Sequence, residues 1–189
     1  MEQNKSQEAT QIKKLLVWYN MVPNVLWSVL NLVPVSIFCY SLLPRQLLYI
    51  FIGISIVALM LPNAVYNKMQ LGQSTQLYKK LGVVWVNKLT QNGILVNSMI
   101  RKKFPHYKTI SYQSASIHKL VQQTYAYEKF HFLMFVFFVL VTAYAISKNC
   151  WGWVLLLTVN NLLYNIYPNL LQQYIRLKLV LYNRKTGNR

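Results

Sequence analysis

Thr124-Tyr125-Ala126-Tyr127-Glu128-Lys129-Phe130-His131 runs without a break into Phe132-Leu133-Met134-Phe135-Val136-Phe137-Phe138-Val139-Leu140-Val141-Thr142-Ala143-Tyr144-Ala145-Ile146. The second half is an apolar block that reads as a helix inside a bilayer. The first half holds Glu128, the one carboxylate side chain beyond residue 8 in a chain that has no aspartate. On a helix the i and i+3 positions share a face, so Glu128 and His131 are placed to act on one target. An ionisable group at the edge of hydrocarbon is costly enough to mark a functional candidate.

Three further apolar blocks accompany this one. The chain has 189 residues, 54% of them hydrophobic, with a mean hydropathy of +0.26. Its apolar residues gather at about 25–43, 47–61, 132–146 and 151–171. A bilayer core needs about 20 apolar residues of helix, so the second and third blocks are short and fit either spans or re-entrant segments. The pattern predicts an all-α integral membrane protein of about four transmembrane helices, with a cytoplasmic amphipathic helical segment between the second and third. All of residues 1–189 form one membrane domain in this reading.

Charge orients the spans. Twenty Lys and Arg stand against three Glu, a net charge of +17. Ten basic residues lie from Lys68 to Lys129, three precede residue 24 and five lie from Arg176 onward, whereas the short connections hold only Arg45 and Lys148. The positive-inside rule then predicts a multi-pass cell-membrane protein with both termini and residues 63–129 in the cytoplasm. Basic residues so close to spans are accounted for by anionic lipid headgroups, and nucleic acid is not an expected partner. The first 24 residues are polar and lack a cleavage motif, so 25–43 reads as a retained anchor. Cys39 and Cys150 make no disulfide framework and are expected as free thiols.

Residues 63–129 are too polar to span and too apolar to be disordered. Leu77, Leu81, Val84, Trp85 and Lys88 recur at helical spacing beside Lys79 and Lys80, which predicts one interfacial amphipathic helix over Thr75–Leu89. Gln91-Asn92-Gly93 reads as a turn. The run Arg101-Lys102-Lys103 suits headgroups or, as a sharper alternative, a phosphorylated cosubstrate such as a coenzyme A thioester. A second helix from Ser111 is expected to continue through His118 and Glu128 into the third span. His106 and His118 read as surface residues.

The last block carries a polar stripe. Asn161, Asn165, Asn169, Gln172 and Arg176 are spaced 4, 4, 3 and 4 apart and fall within an arc of about 80°. One or two such residues glue membrane helices together. Five in line suggest the wall of a polar cleft. Pro168 sits in the same arc and cannot donate to the carbonyl of Tyr164, which predicts a kink there. Because the connection at Lys148–Cys150 is tight, the last two blocks should pair as an antiparallel hairpin. Residues level about position 149 then meet, with His131 beside Pro168 and Glu128 beside Leu171 and Gln172. Arg176 becomes the natural counter-ion of Glu128.

Many chemistries are excluded. Tyr127 stands where a zincin needs its first histidine, and a di-iron bundle needs more carboxylates than exist here. No aspartates are present to hold magnesium for nucleotide chemistry, and no P-loop, G-x-G-x-x-G or G-x-S-x-G elbow occurs. No metal site and no cofactor is expected. What remains is metal-free transfer in which a histidine removes a hydroxyl proton, the logic of acyl transfer.

Asn165-Ile166-Tyr167-Pro168 followed by Gln172-Gln173-Tyr174-Ile175-Arg176-Leu177-Lys178-Leu179 resembles the N-x-x-P…Q-R-Y-N-R-x-R-L ending of the glycosyl-4,4′-diaponeurosporenoate acyltransferases. Thr124 to His131 is similar to that family's T-x-x-x-E-x-x-H segment, and Tyr78-Lys79-Lys80-Leu81-Gly82 is a weaker echo. Gln173, Ile175 and Lys178 depart from the pattern, and the family's tryptophan-lysine-aspartate stretch is not found. The resemblance implies a membrane enzyme that moves a fatty acyl group onto a sugar hydroxyl of a carotenoid glycoside or comparable glycolipid, with acyl-CoA or another donor. His131 is then the candidate general base supported by Glu128. Asn161, Asn165, Asn169, Gln172 and Arg176 are the candidate substrate-binding residues. The alternative reading is a non-catalytic membrane subunit or a lipid or pigment carrier, in which a Glu128–Arg176 pair only locks the last two spans.

Overall fold

The computed structural model describes residues 2–89, 94–105 and 114–187. The turn expected at residues 91–93, and His106, lie outside them. The described residues are almost all helical and contain no strand. The helices in order are α1 (Glu2–Leu42), α2 (Arg45–Met60), α3 (Asn63–Lys68), α4 (Thr75–Lys80), α5 (Val83–Leu89), α6 (Ile94–Lys103), α7 (Ser114–Ser147), α8 (Trp151–Asn161) and α9 (Tyr167–Gly187). A five-residue π turn, Leu162–Ile166, joins the last two.

Helix α7 is the spine, packed against α9, α2 and α8. As the sequence predicts, it passes unbroken from the polar Ser114 end through Glu128 into the apolar block. It ends in a Schellman motif. The Cys150 N–H bonds the Ala145 carbonyl at 3.0 Å, the Asn149 N–H bonds the Ile146 carbonyl at 2.9 Å, and Asn149 takes the left-handed φ of 55°. This C-terminal turn reverses the chain within three residues and lays α8 back along α7.

Two apolar clusters hold the bundle. Val35, Phe38, Cys39 and Leu43 meet Phe138, Val141 and Ala145 of α7 and Leu157 of α8 at one end. At the other, Tyr78 and Val83 pack on Leu171 and Tyr174 of α9. The Cys39 and Cys150 thiols are free.

Of the four expected spans, two helices are long and apolar enough to cross a membrane, within Val25–Leu42 and Ile117–Ser147. Only 11% and 17% of those windows are buried, so their apolar faces point outward, unlike the core helix of a soluble protein. Helix α2 has 16 residues, about 24 Å of rise against a hydrocarbon core of roughly 30 Å. The fourth block is divided into α8, the π turn and α9, and its asparagines lower its hydropathy.

The single amphipathic helix expected over 75–89 is in fact two. Gly82 adopts φ 77°, and its N–H bonds the Lys79 carbonyl at 3.1 Å, which closes α4 before α5 begins. A left-handed residue stops a helix, and glycine takes that conformation without a Cβ penalty. The break turns Tyr78 and Val83 inward against α9 and leaves Leu77, Leu81 and Trp85 exposed on the other side.

Candidate functional site

The site lies where α7 passes the start of α9, roofed by α3, α4 and the loop between them. Glu128 and Arg176 are 2% and 3% exposed, and Arg176 Nη1 stands 2.5 Å from Glu128 Oε2. The guanidinium also lies over the Tyr125 ring, its Cζ 4.1 Å from the ring centre. Tyr125 is fixed in turn by donating to Asn67 Oδ1 at 2.6 Å.

The second Glu128 oxygen belongs to Gln173, whose Nε2 donates to Oε1 at 2.8 Å. Gln173 Oε1 accepts from the Tyr78 hydroxyl at 3.0 Å and from the Leu71 N–H at 3.2 Å. The Tyr78 oxygen accepts from the Gly72 N–H at 3.3 Å. Burial raises the Tyr78 phenol above its ordinary range, so it remains a proton donor throughout the physiological span. One amide therefore fastens the charge pair on α7 and α9 to the 71–78 loop. Tyr66 of α3 closes the other side. It is fully buried, donates to the Ala58 carbonyl at 2.6 Å and meets Phe132 edge to face.

One turn beyond Glu128, the His131 ring meets the Tyr164 carbonyl and the Asn165 side chain. Tyr164 is the residue whose carbonyl Pro168 cannot serve, and the helix answers with the π turn, closed by the Tyr167 N–H on the Leu162 carbonyl. Asn165 is wholly buried and donates to Asn161 Oδ1 at 2.9 Å, while Asn161 donates to the Phe135 carbonyl at 3.3 Å. His131 Nδ1, Asn165 Oδ1 and Asn169 Oδ1 are buried without a protein partner, as are Arg176 Nε and Nη2.

The sequence-predicted residues are thus gathered as two groups. Glu128 meets Arg176, and His131 meets Asn165, which is bonded to Asn161. Glu128 and His131 do not share a hydrogen bond: the carboxylate is taken by Arg176 and Gln173, and His131 Nδ1 is unpartnered. Gln172 is half-buried, and its neighbour Gln173 occupies the place expected of it. The π turn explains the exchange, because its wide turn adds a residue and shifts everything after Ile166 relative to a straight α-helical projection. Asn160 was not anticipated either. It donates to the Leu30 carbonyl at 3.4 Å and ties α8 to α1. His118 is exposed, as expected.

The described residues include no group of three His, Cys, Asp or Glu able to hold a metal ion. An all-helical chain with outward apolar faces, a buried charge pair and a half-buried imidazole one turn away fits a membrane-associated lipid-modifying class. The chain belongs to the glycosyl-4,4'-diaponeurosporenoate acyltransferase family, which matches it over residues 62–185. That range takes in the whole site and leaves out α1 and α2. No curated protein and no solved structure matches the chain.

Proposed function

We propose that this protein is a membrane-bound acyltransferase that moves a fatty acyl group from a thioester donor to a hydroxyl of a carotenoid glycoside or similar glycolipid, with His131 as general base. The observation that carries this reading is the buried, unpartnered Nδ1 of His131 in a member of an acyltransferase family. The imidazole takes the hydroxyl proton as the oxygen attacks the thioester carbonyl carbon. The new C–O bond forms, the C–S bond breaks, and the imidazolium returns its proton to the departing thiolate. Asn165 and the Tyr164 carbonyl orient the ring. Glu128 supports the site from one turn away by holding Arg176 and Gln173 in place, as a positioning residue. Asn161, Asn165, Asn169, Gln172 and Arg176 line the substrate cleft. The chain reads as one membrane domain over 1–189, multi-pass, with cytoplasmic termini and α2 and the α8–α9 segment completing the bundle across the bilayer.

His131→Gln keeps side-chain size but removes the base, so transfer to a glycolipid acceptor falls by about 10² to 10⁴ while membrane abundance is unchanged. His118→Gln, on an exposed residue, is the control. Equal activity of the two variants removes His131 from the mechanism. The buried Glu128–Arg176 lock favours one other reading, a non-catalytic lipid- or pigment-binding subunit. That reading prevails if the purified wild type binds glycolipid and transfers nothing.

A further inference from the structure

The corner that α4 and α5 make at Gly82 has two unlike faces. On the inner one Tyr78 and Val83 are buried against α9, and the Tyr78 hydroxyl holds Gln173. On the outer one Leu77, Lys80 and Leu81 fall at i, i+3 and i+4, so they share a side, and Trp85 follows across the bend, 70% exposed. Met69 and Leu71, in the loop before α4, are exposed as well. Helices of six and seven residues are too short to be stable alone. This pair packs on the bundle by one face and turns large apolar side chains away from it by the other.

Charge and depth identify what meets the outer face. No acidic residue occurs between Glu8 and Glu128, and Glu128 is buried, whereas Lys68, Lys79 and Lys80 are exposed beside the apolar group. Leucine and tryptophan bordered by lysine alone suit an anionic lipid surface, where apolar groups reach the acyl boundary and ammonium groups stay at the phosphates. The height of the corner agrees. Tyr78 reaches Gln173, Gln173 reaches Glu128, and Phe130, two residues past Glu128, already belongs to the outward apolar surface of α7. The corner is therefore level with the place where α7 passes from polar to apolar.

We infer that the α4–α5 corner is a surface anchor seated in the anionic headgroup layer of one leaflet, with Leu77, Leu81 and Trp85 entering the layer and Lys79 and Lys80 at the phosphates. A lipid surface is favoured over an acidic protein face because the corner lies where the apolar span of α7 begins, so a bilayer already borders it. The anchor also acts on the site. Because α4 is bonded to Gln173 on its inner side, seating its outer side fixes the depth of the Glu128–Arg176 pair at the headgroups. Such an anchor does not require the transferase reading.

The test puts a nitroxide on the full-length protein at Leu81→Cys and, as control, at Lys119→Cys, with Cys39 and Cys150 replaced. Lys119 is exposed and lies about 14 Å of helical rise before Glu128, toward the polar end of α7. The protein is held one chain per nanodisc, in phosphatidylcholine alone or mixed with phosphatidylglycerol, and collisions of each label with oxygen and with a water-soluble nickel chelate are measured. In the anionic discs the Leu81 label should be shielded from nickel and open to oxygen, and the Lys119 label the reverse. Each lysine favours the seated state by about fivefold on an anionic surface. Phosphatidylcholine should therefore weaken the shielding, and Lys79→Gln with Lys80→Gln should bring the anionic discs to the same result. A Leu81 label as open to nickel as the Lys119 label in both lipids overturns the anchor and leaves the face to an acidic partner protein. Equal shielding in the two lipids also overturns it, since the corner would then insert without recognising headgroups. Shielding found only in discs that hold two chains overturns it in favour of a second copy.

Discussion

Tyr78 and Gln173 are 95 positions apart in the chain and joined by a 3.0 Å hydrogen bond that links the 71–78 loop to the buried charge pair. The hydroxyl also takes a bond from Gly72, and the amide takes one from Leu71, so two groups of the loop, the Tyr78 hydroxyl and the Leu71 N–H, converge on Gln173 of α9. The loop is held by polar contacts to a site whose own charges it shields.

Tyr78→Phe removes the hydroxyl and keeps the ring in its cluster. A loss of about 1 kcal/mol in stability is expected, since Gln173 Oε1 retains the Leu71 N–H. Gln173→Leu should cost more, about 2 to 3 kcal/mol, because Glu128 Oε1 and the Leu71 N–H both lose the amide while the Tyr78 hydroxyl keeps Gly72. Chemical unfolding in mild detergent orders the two variants. Equal losses would mean that the amide is not the joint between loop and pair.

Charge reversal tests the pair itself. Glu128→Arg or Arg176→Glu alone leaves like charges buried together and should cost about 3 to 5 kcal/mol, seen as lost accumulation or a lowered melting temperature. The double reversal should recover part of that loss. Strictly additive losses would show that the two groups do not interact.

The Gly82 break is tested by comparison with Gly53. Neither glycine has an atom within 4 Å of where a Cβ would sit, but Gly82 has φ +77° and Gly53 lies inside α2. Gly82→Ala should therefore destabilise by about 1 to 2 kcal/mol, and Gly53→Ala should stabilise by about 0.5 to 1 kcal/mol. Thermal melts of the two proteins should move in opposite directions.

Topology has a direct check. With Cys39 and Cys150 replaced, a single cysteine at Lys148 should react with an impermeant maleimide from outside intact cells, and one at Lys102 should react only after permeabilisation. Labelling of Lys148 only from within would reverse the proposed orientation.

The contacts of Glu128 were more legible in the sequence than the elements around them. Glu128 was identifiable because it stands alone among twenty basic residues, and its partner because Arg176 ends a polar stripe at helical spacing. Hairpin depth placed Glu128 at Leu171 and Gln172, within a turn of its actual partners. The Gln172-for-Gln173 error came from treating the final block as a straight α-helix, although Pro168 already announced a departure. Tyr78 escaped notice because an amphipathic pattern was fitted through Gly82, and a helix that stops there presents a different face. Glu128 and His131 share no hydrogen bond for an electrostatic reason. A single carboxylate beside a buried guanidinium binds the full charge first, and the half-buried imidazole is left to the asparagines.

The π turn at Leu162–Ile166 is equivalent to a one-residue insertion in an α-helix, so the family's alignment carries a phase as well as a sequence. Any relative whose segment between the counterparts of Asn161 and Arg176 is one residue shorter should have a plain α-helix there, and its counterpart of Gln173 should sit at the position of Gln172 here. Removing one residue from 162–166 in this chain should turn the segment into plain α-helix and leave Arg176 facing Glu128. Removing one from the α-helical stretch between Pro168 and Gln172 should instead rotate the rest of α9 by about 100°, carry Arg176 away from Glu128 and wind the tail out of register with the rest of the bundle.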